Sequence, residues 1–222
     1  MTASSTPDDP PRRAGRPAGG AAELQRRQLL STAAAHFARH GFEGASLRKI
    51  AAEAGLAHGL IRHYFGSKHT LWEAAADELF ARMRTAMSEA IARVDPADPV
   101  ARLEAQVRAT VRTAARIPHI AGFVMQAGMA GGERYQWLVE RHLRPAYEFV
   151  LQPLDQLQEG KRPAGINPLF AFMLANNAAI GPFAQAANAR SLAGVDMSDP
   201  DTADAYADTL IAILKHGLLR QS

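Results

Sequence analysis

Residues 46–68 read SLRKIAAEAGLAHGLIRHYFGSK, and this stretch decides the fold of the N-terminal part of the chain. Ser46 stands before apolar residues spaced three and four apart, a pattern typical of a capped amphipathic helix. Gly55 ends that helix, and a second short helix follows before Gly66. The residues expected to face inward are Leu47, Ile50, Ala51 and Ala54, then Ile61, Tyr64 and Phe65. Two short helices joined by a glycine-containing turn predict a helix-turn-helix.

The segments on both sides of this stretch also have helical patterns. Before it, one apolar stripe ends at Gly41 and consists of Leu30, Ala33, Ala34 and Phe37. After it, Ser67 caps a long helix that extends to about Val94, with an apolar face formed by Leu71, Ala75, Leu79 and Met83. Further helices are predicted at about 100–116, 119–129, 134–159, 167–190 and 201–218. No stretch alternates polar and apolar residues, so we expect an all-α fold without a sheet.

Breaks in the helical patterns at proline and glycine divide the chain into three predicted parts. Residues 1–22 are rich in Pro, Gly, Ala, Ser and Thr and predict a disordered basic arm. Residues 23–68 form the helix-turn-helix domain, and residues 69–222 form a larger helical domain that shares the long fourth helix. Three prolines within the later helical patterns are expected to kink or interrupt them: Pro145, Pro153 and Pro182.

Composition excludes several classes of protein. The 222 residues contain no cysteine, so disulfides and thiolate metal sites are excluded. The apolar runs are too short for a membrane helix, and the first twenty residues lack the apolar core of a secretory signal. We therefore expect a cytoplasmic protein without a membrane partner.

Charge is distributed unevenly along the chain. Residues 10–72 contain ten Lys and Arg against three Glu, whereas the rest of the chain has fifteen basic and nineteen acidic residues. A basic end on a weakly charged protein indicates contact with a polyanion such as DNA, although many soluble proteins have lopsided surfaces. The composition therefore favours nucleic-acid binding without settling it.

The third helix has the residues of a DNA-reading surface. Small residues at Ala57 and Gly59 let its N-terminal end enter the major groove, which is about 12 Å wide. Arg62 and His63 can reach base edges or phosphates, and His58 shares their outer face. Tyr64 and Lys68 suit phosphate contacts, as do the backbone N–H groups that follow Ser46 and Ser67.

The run from Ala34 to Ala74 resembles the tetracycline-repressor (TetR) family of regulators. The resemblance consists of Phe37, Gly41 and Phe42, of Ser46 before a hydrophobic pair and IAxxAG, and of a short helix ending in YF before SKxxL. It implies DNA-binding roles for Ser46, Arg48, His58, Gly59, Arg62, His63, Tyr64 and Lys68. Two departures stand out, because Leu60 replaces the usual hydroxyl residue and Arg62 an aromatic one. We expect both to alter the operator sequence and not DNA binding itself.

The resemblance also implies a function for the larger domain. Regulators of this family are dimeric repressors that bind a pseudo-palindromic operator and release it when a small effector binds. Aromatic, Met and polar residues beyond residue 100 suggest a pocket for a mainly apolar effector, with these candidates: Arg116, Phe123, Gln126, Trp137, Phe172 and Asn176. The last two helices are expected to form the homodimer interface, with Tyr206, Leu210, Ile213 and Leu214 as apolar area. Packing within one chain is the alternative for both sets.

The arm adds a second DNA hypothesis. Its RRAGRP element, with Arg12, Arg13 and Arg16, resembles Arg-Gly-Arg-Pro segments that lie in narrow A·T-rich minor grooves. The alternative is a solvated basic tail that raises affinity without reading sequence.

Other functions find less support in the sequence. His36 and His40 have a spacing that can bind zinc, but no HExxH pattern or carboxylate set completes a site, so we expect no metal and no cofactor. Nucleophile-elbow, P-loop and GxGxxG motifs are absent, so we expect no enzyme. A non-catalytic helical adaptor and a TetR-like activator remain the alternatives.

Overall fold

The computed structural model describes residues 18–155 and 166–218, and every regular element in these ranges is helical. The all-α prediction is therefore confirmed. The elements are α1 Ala18–Gly44, α2 Leu47–Glu53, α3 His58–Phe65, α4 Lys68–Ile91, α5 Pro99–Arg116, α6 His119–Ala130, α7 Gly132–Leu138, a π-helical turn Val139–Leu143, α8 Arg144–Asp155, α9 Pro168–Ala184, α10 Ala186–Ala193 and α11 Pro200–Leu218. None of these helices combines the length and apolar character needed to cross a membrane.

The first helix differs from the prediction at its start and agrees at its break. It begins at Ala18, so residues 18–22 are helical, whereas the sequence predicted a disordered arm up to residue 22. Gly19 and Gly20 have low helix propensity, but the segment from Ala21 to Leu30 consists mostly of good helix formers, and the Arg27–Glu23 pair at 3.0 Å adds i,i+4 support. Helical geometry stops at Gly41, where φ is 67° and ψ is 178°. A residue with a Cβ adopts such a positive φ rarely, which explains why glycine ends the helix here.

The prolines affect the later helices in three different ways. Pro145 follows a π-helical turn in which the N–H of Arg144 bonds to the carbonyl of Val139, because Pro145 has no N–H with which to continue the ordinary ladder. The predicted helix 134–159 is thus divided at this turn. Helix α8 continues past Pro153 to Asp155, so the break expected there is not found in the described part of α8. Pro182 precedes a break at Gln185, which divides the predicted helix 167–190 into α9 and α10.

Two hydrophobic clusters hold the helices together. The larger joins α1–α4 to α6 and α7, and its centre is aromatic. Trp72 stacks on Phe123 with ring centroids 5.1 Å apart, and Phe37 meets Phe123 edge-on at 6.3 Å. The smaller cluster joins α5, α9 and α11 and consists of Val111, Ala114, Ala179, Phe183, Met197, Ala203, Ala207 and Leu210. The predicted DNA-binding segment therefore shares one core with two helices of the larger domain.

Candidate nucleic-acid interface

The start of α2 is fixed by a side-chain cap and by a buried histidine. The Ser46 hydroxyl accepts the N–H of Lys49, as the sequence predicts for an N-cap. His36, on α1, is 1% exposed. Its Nδ1 lies 3.2 Å from Glu53 Oε1, and its Nε2 accepts the N–H of Ser46 at 3.5 Å. The imidazole thus connects α1 to both ends of α2.

This arrangement requires a neutral imidazole. With the proton on Nδ1 donated to Glu53, Nε2 keeps the lone pair that Ser46 needs. Burial lowers the pKa of His36, and this effect exceeds the opposing attraction of Glu53. Arg39 also donates to Glu53, at 3.2 Å. From the sequence, His36 was considered only as a zinc ligand. However, His36 continues the helical stripe of Leu29 and Ala33, and this spacing was a signal that His36 faces the core.

Helices α2 and α3 place buried and exposed residues in the pattern of a helix-turn-helix. Ile50, Ala51 and Ile61 are at most 1% exposed and join the core. The remaining predicted contact residues fall outside it: Arg48, Ala57, Gly59, Arg62 and His63 are exposed, Ser46 and Leu60 are half-buried, and His58 begins α3. Tyr64, predicted to face inward, is 43% exposed, which corrects that prediction. An outward ring leaves its hydroxyl available to a phosphate.

Lys68 begins α4 and is already engaged at the base of this surface. Its Nζ donates to the backbone carbonyl of Glu43 at 3.1 Å and lies 4.8 Å from the ring centre of Phe42. Arg134 of α7 lies over the same ring at 3.8 Å and bonds to the Glu43 carboxylate at 3.1 Å. Residues from α4 and α7 thus hold the short segment between Gly41 and α2. The arm residues Arg12, Arg13 and Arg16 lie outside the described residues.

The candidate effector residues do not come together in one site. Phe172 and Asn176 line a cavity of about 110 Å³ between α5, α8, α9 and α11. Phe123 and Gln126 border a second gap of about 10 Å³ beside the aromatic core, too small for a ligand. Trp137 packs on Trp72 at 5.7 Å, and Arg116 is exposed at the end of α5. Phe123, Gln126, Trp137 and Arg116 are therefore withdrawn as lining residues, because residue type alone did not show which core each side chain joins.

The dimer candidates divide in a similar way. Tyr206 donates its hydroxyl to the carbonyl of Ala178 at 2.6 Å, Leu210 is 5% exposed, and Leu214 lines the cavity. These three face their own chain, as the alternative interpretation held. Ile213 is 63% exposed. An apolar face that the sequence did not single out lies on α9 and consists of Leu169, Phe170, Met173 and Leu174.

Comparison with known proteins identifies the helix-turn-helix. Residues 29–75 match the sequence model for "Bacterial regulatory proteins, tetR family". The chain is also 40% identical over 72 residues to the HTH-type transcriptional repressor AcnR of Corynebacterium glutamicum, a match that covers 32% of this chain and 38% of that repressor. Residues 29–75 are thus similar to the N-terminal region of TetR-family regulators. The chain spans less than half the length of that relative, so the match with AcnR concerns the N-terminal region.

Solved structures extend the likeness from this region to the fold of most of the chain. The ketosteroid transcriptional regulator KstR2 of Mycobacterium tuberculosis superposes with a TM-score of 0.64 at 21% identity, covering 95% of this chain and all of that one. AibR, solved with isovaleryl coenzyme A and operator DNA, has a TM-score of 0.60 at 19% identity, covering 85% and 97%. At these identities the likeness concerns the fold alone.

Proposed function

We propose that this chain is a transcriptional repressor that binds a pseudo-palindromic operator as a homodimer and is released by a small, mainly apolar effector. The observation that carries the proposal is the outer face of α3, where Arg62 and His63 stand exposed on a helix braced by Ile50 and Ile61. A braced helix with exposed polar residues and small residues at its N-terminal end is what major-groove recognition requires. The basic N-terminal region supplies the attraction to phosphates.

Dimerisation is supported by the apolar face of α9. Phe170 is 61% and Leu174 is 73% exposed, and single-chain proteins rarely leave such residues side by side in water. A second copy of the chain is the occupant that the family's two-fold assembly favours. The contact would use α9 together with the exposed Ile213 of α11. Two copies then present two α3 helices to half-sites in successive major grooves.

Release by an effector is supported by how the helices are connected. Helix α4 begins at Lys68, beside the DNA surface, and packs along α5, which forms a wall of the 110 Å³ cavity. Helix α6 packs on α1 in the shared core. A ligand that favours one arrangement of α5 would shift α4 and so the spacing of the two α3 helices. AibR, solved with both an acyl coenzyme A and operator DNA, is a protein of this fold that binds both kinds of partner.

The arm is part of the same proposal. Arg12, Arg13 and Arg16 would enter an A·T-rich minor groove next to each half-site. Activation instead of repression is the second candidate for the direction of control, and a reporter gene downstream of the bound site distinguishes the two.

Substitution of Arg62 tests the DNA surface. After footprinting upstream of the chain's own gene supplies a specific duplex, Arg62→Ala should weaken binding to that duplex by about 10- to 100-fold, the cost of one base contact. Binding to random duplex should change much less. Arg93→Ala is the matched control, because it removes an equal charge far from α3. Arg93 follows the C-terminal end of α4, and this 24-residue helix separates it from Lys68 by about 36 Å.

Two results would contradict the proposal. Equal loss of specific binding in Arg62→Ala and Arg93→Ala would mean that α3 reads no bases. If the chain shows no salt-dependent binding to any duplex, a protein adaptor is indicated instead. Release of counterions makes phosphate-driven binding to DNA strongly dependent on salt.

A further inference from the structure

The cavity between α5, α8, α9 and α11 has a wall with very little net charge. Most of the residues that line it are Val, Leu, Ile, Ala and Phe. Within the described residues, its charged members are Glu104 of α5 and Lys215 of α11, whose Oε1 and Nζ are 2.7 Å apart. Both side chains are partly exposed, at 34% and 48%, so the pair lies where the cavity meets solvent.

The other polar groups in the wall, those of Thr110, Gln106 and Asn176, are all uncharged. The Thr110 hydroxyl donates to the backbone carbonyl of Gln106 at 2.8 Å. The Gln106 amide donates to the carbonyl of Phe149 at 3.3 Å, and its side-chain oxygen is buried with no donor among the described residues. A buried carbonyl oxygen carries partial negative charge, which disfavours an anion nearby. The Thr110 hydroxyl and one N–H of Gln106 are therefore used within the chain. The neutral amides of Gln106 and Asn176 can donate to a polar group of a ligand but supply no charge that would balance an ion.

We propose that this cavity accepts an uncharged apolar ligand and that the Glu104–Lys215 ion pair determines this selectivity. A charged ligand that leaves water for this wall would need a counter-charge, and each of the two available charges is neutralised by the other. An uncharged ligand gains burial against the apolar wall and leaves the pair intact. This inference rests on the proposed function, because it takes the cavity as the effector site.

The pair predicts opposite selectivities for the two single variants. Glu104→Gln leaves Lys215 without its partner at the mouth, so an anionic ligand gains a counter-charge. Lys215→Gln leaves Glu104, so a cationic ligand gains one. Both substitutions keep nearly the same side-chain volume, and both positions are partly exposed, so the fold should tolerate them.

The experiment measures binding of toluene, benzoate and benzylammonium to the full chain by calorimetry, without DNA. Wild type should bind toluene at least tenfold more tightly than either ion. Glu104→Gln should raise benzoate affinity at least threefold and leave benzylammonium unchanged, and Lys215→Gln should do the reverse. Asp204→Asn is the matched control, since it breaks the pair with Arg112 between the same two helices without touching the cavity wall. Its preference among the three probes should equal that of wild type.

Each possible result decides the inference. Equal wild-type affinity for toluene and benzoate would overturn it, as would the absence of binding by all three probes. A change in selectivity that appears equally in Asp204→Asn would assign the effect to loosening of α5 against α11 and would overturn the role of the pair. A gel shift with duplex DNA on the same preparations tests the proposed function separately, because a chain that selects toluene yet binds no DNA would refute only the repressor.

Discussion

The two hydrophobic clusters are built from helices of similar type but are filled to different extents. The larger cluster, which we call the N-terminal cluster, contains Phe37, Trp72, Phe80 and Phe123, and the gap beside it measures about 10 Å³. The C-terminal cluster depends largely on alanines, such as Ala114, Ala179, Ala203 and Ala207, and a cavity of about 110 Å³ lies beside it. Close packing makes a core rigid. The filled cluster therefore suits a platform that presents α3 to DNA, and the hollow one suits a site that responds to a ligand.

Removal of an aromatic ring from each region should show the largest contrast. Phe123→Ala deletes a ring that is 1% exposed and packed on Trp72, and it should lower the free energy of unfolding by about 3–5 kcal/mol. Phe172→Ala removes a half-buried ring that already borders the cavity, so about 1–2 kcal/mol is expected. Urea unfolding followed by circular dichroism measures both. Equal losses would mean that the two regions do not differ in packing.

The pH dependence of the free energy of unfolding tests the packing around His142, at the edge of the larger, N-terminal cluster. His142 stacks on Phe80 at 4.6 Å, and Asp77, Arg84 and Arg141 face it. Burial lowers the pKa of His142 to about 4, despite the attraction of Asp77. Because the unfolded chain binds this proton near pH 6.5, the neutral folded form loses stability as pH falls from about 6.5 to 4.

The variant His142→Gln should reduce that loss by about 2–3 kcal/mol, as follows from the size of the pKa difference. The remaining dependence has the same sign, because burial also lowers the pKa of His36 and His119. Urea unfolding at pH 7, 5 and 4 compares the two proteins. If wild type and variant lose equal stability on acidification, then His142 is not held neutral by the core.

The smallest changes in the free energy of unfolding should have opposite signs at two glycines of the N-terminal helices, Gly41 and Gly59. Gly41→Ala places a Cβ at φ 67°, 3.1 Å from Gln126 Oε1, and should lower the free energy of unfolding by about 1–2 kcal/mol. Gly59 lies within α3 with no atom within 4 Å of an added Cβ. Gly59→Ala should therefore raise stability by about 0.5–1 kcal/mol through helix propensity. Thermal unfolding measures both, and a gain at Gly41 would contradict the described backbone there.

The sequence by itself determined the helices and the helix-turn-helix. Caps at Ser46 and Ser67 and breaks at Gly55 and Gly66 act on neighbouring residues, so their effects are visible in local order. The outward face of α3 follows from the same local periodicity, apart from Tyr64. The start of α1 at Ala18 was missed because Gly20 and residues 22–28 are exposed, and the sequence from residue 18 to residue 28 shows no apolar stripe.

Tertiary structure alone decided which side chains share a site. Phe123 and Phe172 are the same residue type in the same predicted domain, yet one fills the N-terminal core and the other lines the cavity. The pair of Glu104 with Lys215 joins residues of α5 and α11 that lie far apart in the chain. Their meeting depends on how the helices pack across the whole chain, and spacing within a single helix carries no information about that packing.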